Sequence, residues 1–220
     1  RLTAVAPSAG QAFCLVNGAP KSQRRSERVR LEGRTHIYDL AGDGFWQLHR
    51  EAPRVLAEAV LDALPQPGGA RVWDLYAGAG LFTLPLAAAG AQVTAVEGDR
   101  RAAADLRANA ARAGLRLGGA HTADVRAALR RGIGGGRPDA IVVDPPRSGV
   151  GQDVARLLAA AGPYRIVYVA CEPAALARDL AELQRGGYSL TSLRGFDLFP
   201  GTHHVELLAV LDRARGRVDR

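Results

Sequence analysis

Two residue types able to do covalent and proton-transfer chemistry stand near the end of the chain. Cys171 closes the apolar run Arg165 to Ala170 and is followed at once by Glu172-Pro173. Pro173 suits the first turn of a helix, so the thiol lies near a helix N-terminus, whose dipole favours the reactive thiolate. A buried cysteine acting as a small hydrophobe is the plainer reading of the same residue. Glu206, in His203-His204-Val205-Glu206, is either a general base or a solvated edge charge. Strand alternation would put His204 and Glu206 on one face and His203 on the other. With no third ligand evident, zinc is not indicated and no metal is expected.

A second group of polar residues suits a bound nucleoside. The stretch Asp74-Leu-Tyr-Ala-Gly-Ala-Gly-Leu-Phe follows a strand pattern, and Gly78 and Gly80 allow a tight turn and close approach to a ligand. Glu97 follows Asp74 by 23 residues, at the tip of the next strand, where an acid can accept both hydroxyls of a ribose. The dinucleotide fingerprint asks for a third glycine, and Thr83 stands in its place. Asp74 before the turn suits a cofactor bearing an amine, and the pattern looks like the class I S-adenosylmethionine (SAM) fold. Asp124 would then lie near the adenine, or simply cap a helix; both readings stand. Asp144-Pro-Pro-Arg147 makes a rigid loop at the carboxyl edge of the sheet. Arg147 occupies the place where SAM enzymes acting on exocyclic amines carry a stacking aromatic, which argues against amine methylation.

These residues need a scaffold, and the periodicities supply one. Strands are expected at 71–76, 92–97, 116–121, 139–143 and 165–170, and helices at 53–64, 81–89, 100–113, 124–131, 151–161 and 174–185. Strict βα alternation predicts an α/β fold with a doubly wound, mostly parallel sheet of about seven strands. Segments 188–199 and 204–212 are joined too tightly for a helical crossover, so the last strand should run antiparallel. Residues 1–45 read as a small β-rich remnant of an upstream RNA-contact region, 46–213 as the catalytic domain and 214–220 as a flexible basic tail.

Composition fits a soluble globular chain of 220 residues, 47% hydrophobic and 23% charged. No run approaches the ~18 apolar residues of a membrane span. The net charge is +7, and only one of the 29 basic residues is Lys, so the charge is nearly all guanidinium. Arg forks onto phosphate and stacks on bases, which makes nucleic acid a partner class to consider. The basic ribbon 21–34 is either an RNA-backbone contact or a solvated surface. Two cysteines without framework spacing suggest a reducing, cytoplasmic setting. The chain opens on Arg1 and has no methionine, which implies a translated segment upstream.

The motifs taken together, DLYAGAGLF, VEGD, DPPRSG, ACEPAALARDL and DLFPGTHHVE, resemble in order those of the RNA 5-methyluridine (uracil-5) methyltransferases. Upstream, GDGFWQLHREA is similar to the Phe-Phe-Gln-Val-Asn segment that precedes their catalytic domain. The resemblance implies SAM as cofactor, transfer or ribosomal RNA as partner, and a monomer with no membrane attachment. It implies Cys171 as nucleophile and Glu206 as base, with Gln47, Tyr76, Glu97 and Asp144 contacting SAM or the target uracil. Leu81 stands where the family usually has Asn, and Glu172 where it has Asn. A carboxylate beside the thiol should raise the thiol pKa. Two other readings remain: a SAM-binding RNA-contact domain with little turnover, and a SAM enzyme acting on a small molecule.

Overall fold

The computed structural model describes residues 2–5, 7, 13–16, 24–64, 68–134 and 136–213. The tail 214–220 and the start of the basic ribbon, 21–23, lie outside the described residues. The element order is β1 (Leu2–Val5), β2 (Phe13–Val16), β3 (Arg24–Leu31), β4 (Arg34–Ala41), α1 (Ala52–Ala63), β5 (Arg71–Leu75), α2 (Thr83–Ala88), β6 (Gln92–Glu97), α3 (Arg100–Arg112), β7 (Gly119–Thr122), α4 (Val125–Arg131), β8 (Ala140–Val143), α5 (Gly151–Ala161), β9 (Arg165–Ala170), α6 (Pro173–Arg185), β10 (Tyr188–Phe196) and β11 (Glu206–Arg213).

Seven strands form the main sheet in the order β10-β11-β9-β8-β5-β6-β7, and β11 pairs antiparallel with both β9 and β10. Period-2 side-chain alternation splits the central strands between two cores. Ala140, Val142, Val167, Val169, Leu208 and Val210 pack with α1 and α2 on one face. Ile141, Val143, Ile166, Tyr168, Ala209 and Leu211 pack with α4, α5 and α6 on the other. A sheet covered on both faces explains why β8 is apolar at every position. Strand order reverses between β5 and β8, so their carboxyl ends flank the crevice where ligands bind in such sheets. Among the described residues no helix is long and apolar enough to cross a membrane.

Upstream of α1 the structure departs from expectation. Small strands were anticipated within residues 1–45, such as Phe13-Cys-Leu-Val and His36-Ile-Tyr; the first coincides with β2, whereas the second is part of β4, which forms with β3 a hairpin of eight residues per strand. Its turn is Glu32-Gly33, with φ of 47° and 78°, the paired positive values of a tight two-residue hairpin. The alternation Arg28-Val29-Arg30-Leu31 hides this strand, because its polar face is arginine and reads as a charge run. Val29, Leu31, Tyr38 and Leu40 join the core with α1. The outer edge of β4 is closed by α3: Asp105 accepts the Ala41 amide at 2.9 Å and Asn109 accepts the Asp39 amide at 2.9 Å. An otherwise open strand edge is thereby satisfied.

Other boundaries moved by a few residues. The third parallel strand begins at Gly119 instead of 116. The closing strand begins at Glu206, not 204, so His203 and His204 belong to the preceding turn. Their rings lie 4.2 Å apart, against the opposite-face placement that strand alternation suggested.

Candidate active site at the switch point of the sheet

The first side of the crevice is built on β5, β6 and the loop between β5 and α2. Asp74, fully buried near the end of β5, accepts the Thr83 hydroxyl at 2.5 Å. Among the described residues its other carboxyl oxygen is buried without a hydrogen-bond partner. Burial, with Glu97 nearby, pushes its pKa up to about 7. A buried acceptor with an open lone pair fits a ligand that brings an N–H donor, as the amine expected opposite Asp74 would. The residue that breaks the dinucleotide glycine fingerprint, Thr83, is therefore the one that orients Asp74.

Tyr76 follows β5 with φ of +62°, a conformation L residues other than Asn and Asp rarely adopt. Such positions persist where the surroundings over-determine them, commonly at functional sites. Its phenol is pushed up to about 12 by burial and by Asp124 and Asp179. Two residues on, the Gly78 amide donates to Glu97 Oε2 at 2.8 Å, while Glu97 Oε1 accepts the Asp99 amide at 2.6 Å. These bonds fix the β6 acid against the glycine loop. Gly80 has φ of +100°, a conformation strained for any residue with a side chain, and a Cβ there would stand 2.7 Å from Leu84 Cδ1, which would have to move. Gly78 has positive φ as well, but open space where a Cβ would point.

The hairpin supports this loop from behind. The buried Tyr38 hydroxyl donates to the Leu81 carbonyl at 3.1 Å, and Asn109 donates to the Ala79 carbonyl at 3.1 Å. Tyr38 also packs on Trp46, with ring centroids 5.0 Å apart, which holds the segment carrying the half-buried Gln47. Asp124 is exposed and caps α4 by accepting the Ala127 amide at 2.9 Å. Of its two readings, the helix cap is the one seen in the geometry.

The second side is built from β8, β9 and β11. Val143 pairs with Tyr168, and Leu207 pairs with Ala170. One step beyond those pairs the register brings Asp144 beside the end of β9 and sets Glu206 across from Cys171. The three groups and Arg147 feel one another's charge. Burial, then Glu206, raises the Cys171 thiol; Asp144 adds to this and Arg147 opposes it. Burial raises Glu206 while Arg147 lowers it. Asp144 is pushed up to about 8 by burial, Glu206 and Asp74.

Two electrostatic expectations are corrected here. The helix terminus was expected to favour the thiolate, yet desolvation and two carboxyls win and the thiol is raised. Glu172 was expected to be the cause of such a rise, but it acts as N-cap of α6, accepting from the Ala174 amide, and is not among the groups that shift Cys171. Arg147, noted in the sequence only for what it is not, supplies the positive charge at this end. Its position after two prolines at a strand tip was the available signal.

Thus Asp74, Tyr76, Gly78, Gly80 and Glu97 gather at the β5–β6 side of the switch point, and Asp144, Cys171 and Glu206 at the β8, β9 and β11 side. Residues 136–214 match the family model described as tRNA (Uracil-5-)-methyltransferase. An uncharacterized RNA methyltransferase of Bifidobacterium longum is 41% identical over 200 residues, covering 87% of this chain and 46% of that protein. A 23S rRNA (uracil(1939)-C(5))-methyltransferase of Alkalilimnicola ehrlichii is 43% identical over 192 residues, covering 82% and 43%. The chain spans about half the length of the curated relatives it matches. Among solved structures, the Pyrococcus abyssi tRNA (uracil-54, C5)-methyltransferase with S-adenosyl-L-homocysteine superposes with a TM-score of 0.72 at 28% identity, over 84% of this chain and 44% of that one. The Thermus thermophilus 16S rRNA N2 G1207 methyltransferase shares the fold, with a TM-score of 0.63 over 97% of this chain and 58% of that one, at 23% identity.

Proposed function

We propose that this chain, which over residues 136–214 belongs to the tRNA (uracil-5-)-methyltransferase family, is the catalytic part of an enzyme that methylates carbon 5 of a uridine in RNA with SAM as donor. The observation that supports the reading is the β9–β11 register, which pairs Leu207 with Ala170 and so sets the next residues, Glu206 and Cys171, near enough for the charge of one to act on the other. Carbon 5 of uracil is too weak a nucleophile to take a methyl group unaided, so the chemistry needs both residues.

The bound cofactor supplies an electrophilic methyl group on sulfur. Asp74 would meet its amine and Glu97 its ribose hydroxyls, with Tyr76, Gly78, Gly80 and Gln47 shaping the pocket. Cys171 Sγ, as thiolate, adds to carbon 6 of the uracil and pushes the electron pair toward carbon 5 and the carbonyl oxygen. Burial raises the Asp144 carboxyl, and in its protonated form it can donate a hydrogen bond to a pyrimidine carbonyl. After carbon 5 has taken the methyl group, Glu206 removes the proton there, the ring double bond reforms and the thiolate leaves. Because Cys171 rests as a thiol, Arg147 is the group on this side that favours its ionised form. The reading carries with it a monomer in a reducing, cytoplasmic setting, in keeping with a free Cys171.

The test is transfer of labelled methyl from SAM to uridine-containing RNA by the full chain, followed by nucleoside analysis. Formation of 5-methyluridine supports the proposal. SAM binding without transfer would support a cofactor-binding RNA-contact domain instead, and transfer to free nucleosides without RNA would support a small-molecule enzyme.

A further inference from the structure

The loop that carries Asp144 and Arg147 is gripped by two adjacent residues of α6, and Cys171 lies just ahead of that same helix. Asp179 is fully buried and accepts four donors. Its Oδ2 takes the Tyr168 hydroxyl at 2.7 Å and the Val150 amide at 2.8 Å. Its Oδ1 takes Arg178 Nε at 3.0 Å and an Arg178 terminal nitrogen at 2.9 Å. Arg178 in turn donates to the Ser148 carbonyl at 2.7 Å. Ser148 and Val150 flank Gly149, whose φ is +74°, and a Cβ at Gly149 would run into Asp179 and Arg178. The loop therefore rests on the helix at a point where only glycine fits.

We infer that Arg178 and Asp179 are positioning residues that hold the 144–149 loop, and with it Arg147, in register with Cys171. The inference rests on the proposed function for its activity readout, though not for its chemistry. A buried carboxylate satisfied by four donors is costly to disturb and rigidifies what it joins. It joins the end of β9 through Tyr168, the loop through Val150 and, through Arg178, the loop again. Asp144 and Arg147 precede this clamp by a few residues, and two prolines stiffen the stretch between. A displacement of about 1 Å at reacting groups is enough to cost on the order of 10²-fold in rate.

The variants are Arg178→Ala and Arg178→Lys in the full chain. Arg178 is 44% exposed in its side chain, so the fold should tolerate both. With SAM and uridine-containing RNA, Arg178→Ala is expected to lose tenfold or more in kcat, measured well below its Tm, with the SAM dissociation constant little changed. Tm itself should fall, because buried Asp179 loses two of its four donors. Arg178→Lys, able to reach one partner but not both, should fall between. Activity lost only in parallel with SAM affinity, or an unchanged kcat, would overturn the inference. A readout that does not need turnover is alkylation of Cys171 by iodoacetamide against pH, in a Cys14→Ser background. Releasing the loop should move the midpoint upward, as Arg147→Ala should, and the two together should shift it no further than Arg147→Ala alone. Additive shifts, or none, would overturn it. A wild-type chain that never methylates RNA would defeat the proposed function, while the alkylation midpoints would still decide this inference.

Discussion

The two sides of the crevice are assembled differently. On the cofactor side, the two acids Asp74 and Glu97 come from one βαβ unit and are tied to their neighbours by short hydrogen bonds: Thr83 to Asp74, and Gly78 and Asp99 to Glu97. On the reaction side, Asp144, Cys171 and Glu206 come from three separate strand ends and influence one another through charge. The first side is a rigid cradle, closed by backbone before any ligand arrives. The second is a set of acids and a thiol whose pKa values are all raised by burial, with Arg147 opposing the rise at Cys171 and Glu206. A cradle can be weakened in affinity without altering chemistry, and a reaction centre can be silenced without loosening the cradle.

That separation predicts a sharp break. Cys171→Ala should reduce methyl transfer to RNA below detection, since the first bond cannot form, while calorimetric SAM affinity stays within about twofold of wild type. Weaker SAM binding in that variant would mean the two sides are not independent. The converse variant is Glu97→Ala. Two charge-assisted hydrogen bonds at ~1.5–3 kcal/mol each imply a loss of at least about tenfold in SAM affinity. Saturating SAM should restore much of the rate, and unchanged affinity would remove Glu97 from the ribose.

The cofactor side was legible in the sequence because its chemistry is local. A strand, a glycine turn and an acid at the next strand tip are set by spacing within one βαβ unit, and the structure brings Asp74, Gly78 and Glu97 together as that spacing implied. The reaction side was not legible from spacing. Nothing in the separation of 144, 171 and 206 says that they meet; the order β11-β9-β8 does. The hairpin was missed for a third reason. Its inward residues Val29, Leu31, Tyr38 and Leu40 alternate with arginines and short polar residues, and charge density obscured a two-residue period. The histidines were misread because a strand was extended two residues too far.

Electrostatics distinguishes the two sides further in the unliganded protein. Asp74 and Asp144 have folded pKa values of about 7 and about 8, above the ordinary 3.8. For a raised acid the folded state holds the proton longer, so its contribution to stability is complete below the unfolded pKa and is lost as pH rises through the folded value. Tm should therefore decline between about pH 4 and pH 8, and Asp144→Asn should flatten the upper part of that decline. A decline of the same slope in Asp144→Asn would show that its carboxyl is not buried as described. SAM should flatten the part due to Asp74, because an ammonium partner lowers that pKa.

The smallest effect is expected outside the crevice. Arg28 and Arg30 project from the outer face of the hairpin, and the proposal that this ribbon touches RNA backbone predicts a salt signature. Replacing both with Gln should reduce the slope of log affinity against log salt by roughly two, with no change in kcat at saturating RNA. An unaltered slope would leave the hairpin as a support for the glycine loop through Tyr38 and nothing more.

The central claim, that Cys171 and Glu206 act in sequence on one carbon–carbon double bond, is tested most directly by trapping. Glu206→Gln is close in size and removes the base while leaving the thiol in place. Incubated with SAM and uridine-containing RNA, it should accumulate a protein–RNA adduct that carries the transferred methyl group and survives denaturing electrophoresis. The adduct should require SAM and disappear in the double variant Cys171→Ala/Glu206→Gln. A base worth about 10²–10⁴-fold makes that accumulation readily visible. Normal turnover by Glu206→Gln with no adduct, or an adduct that persists without Cys171, would contradict the account.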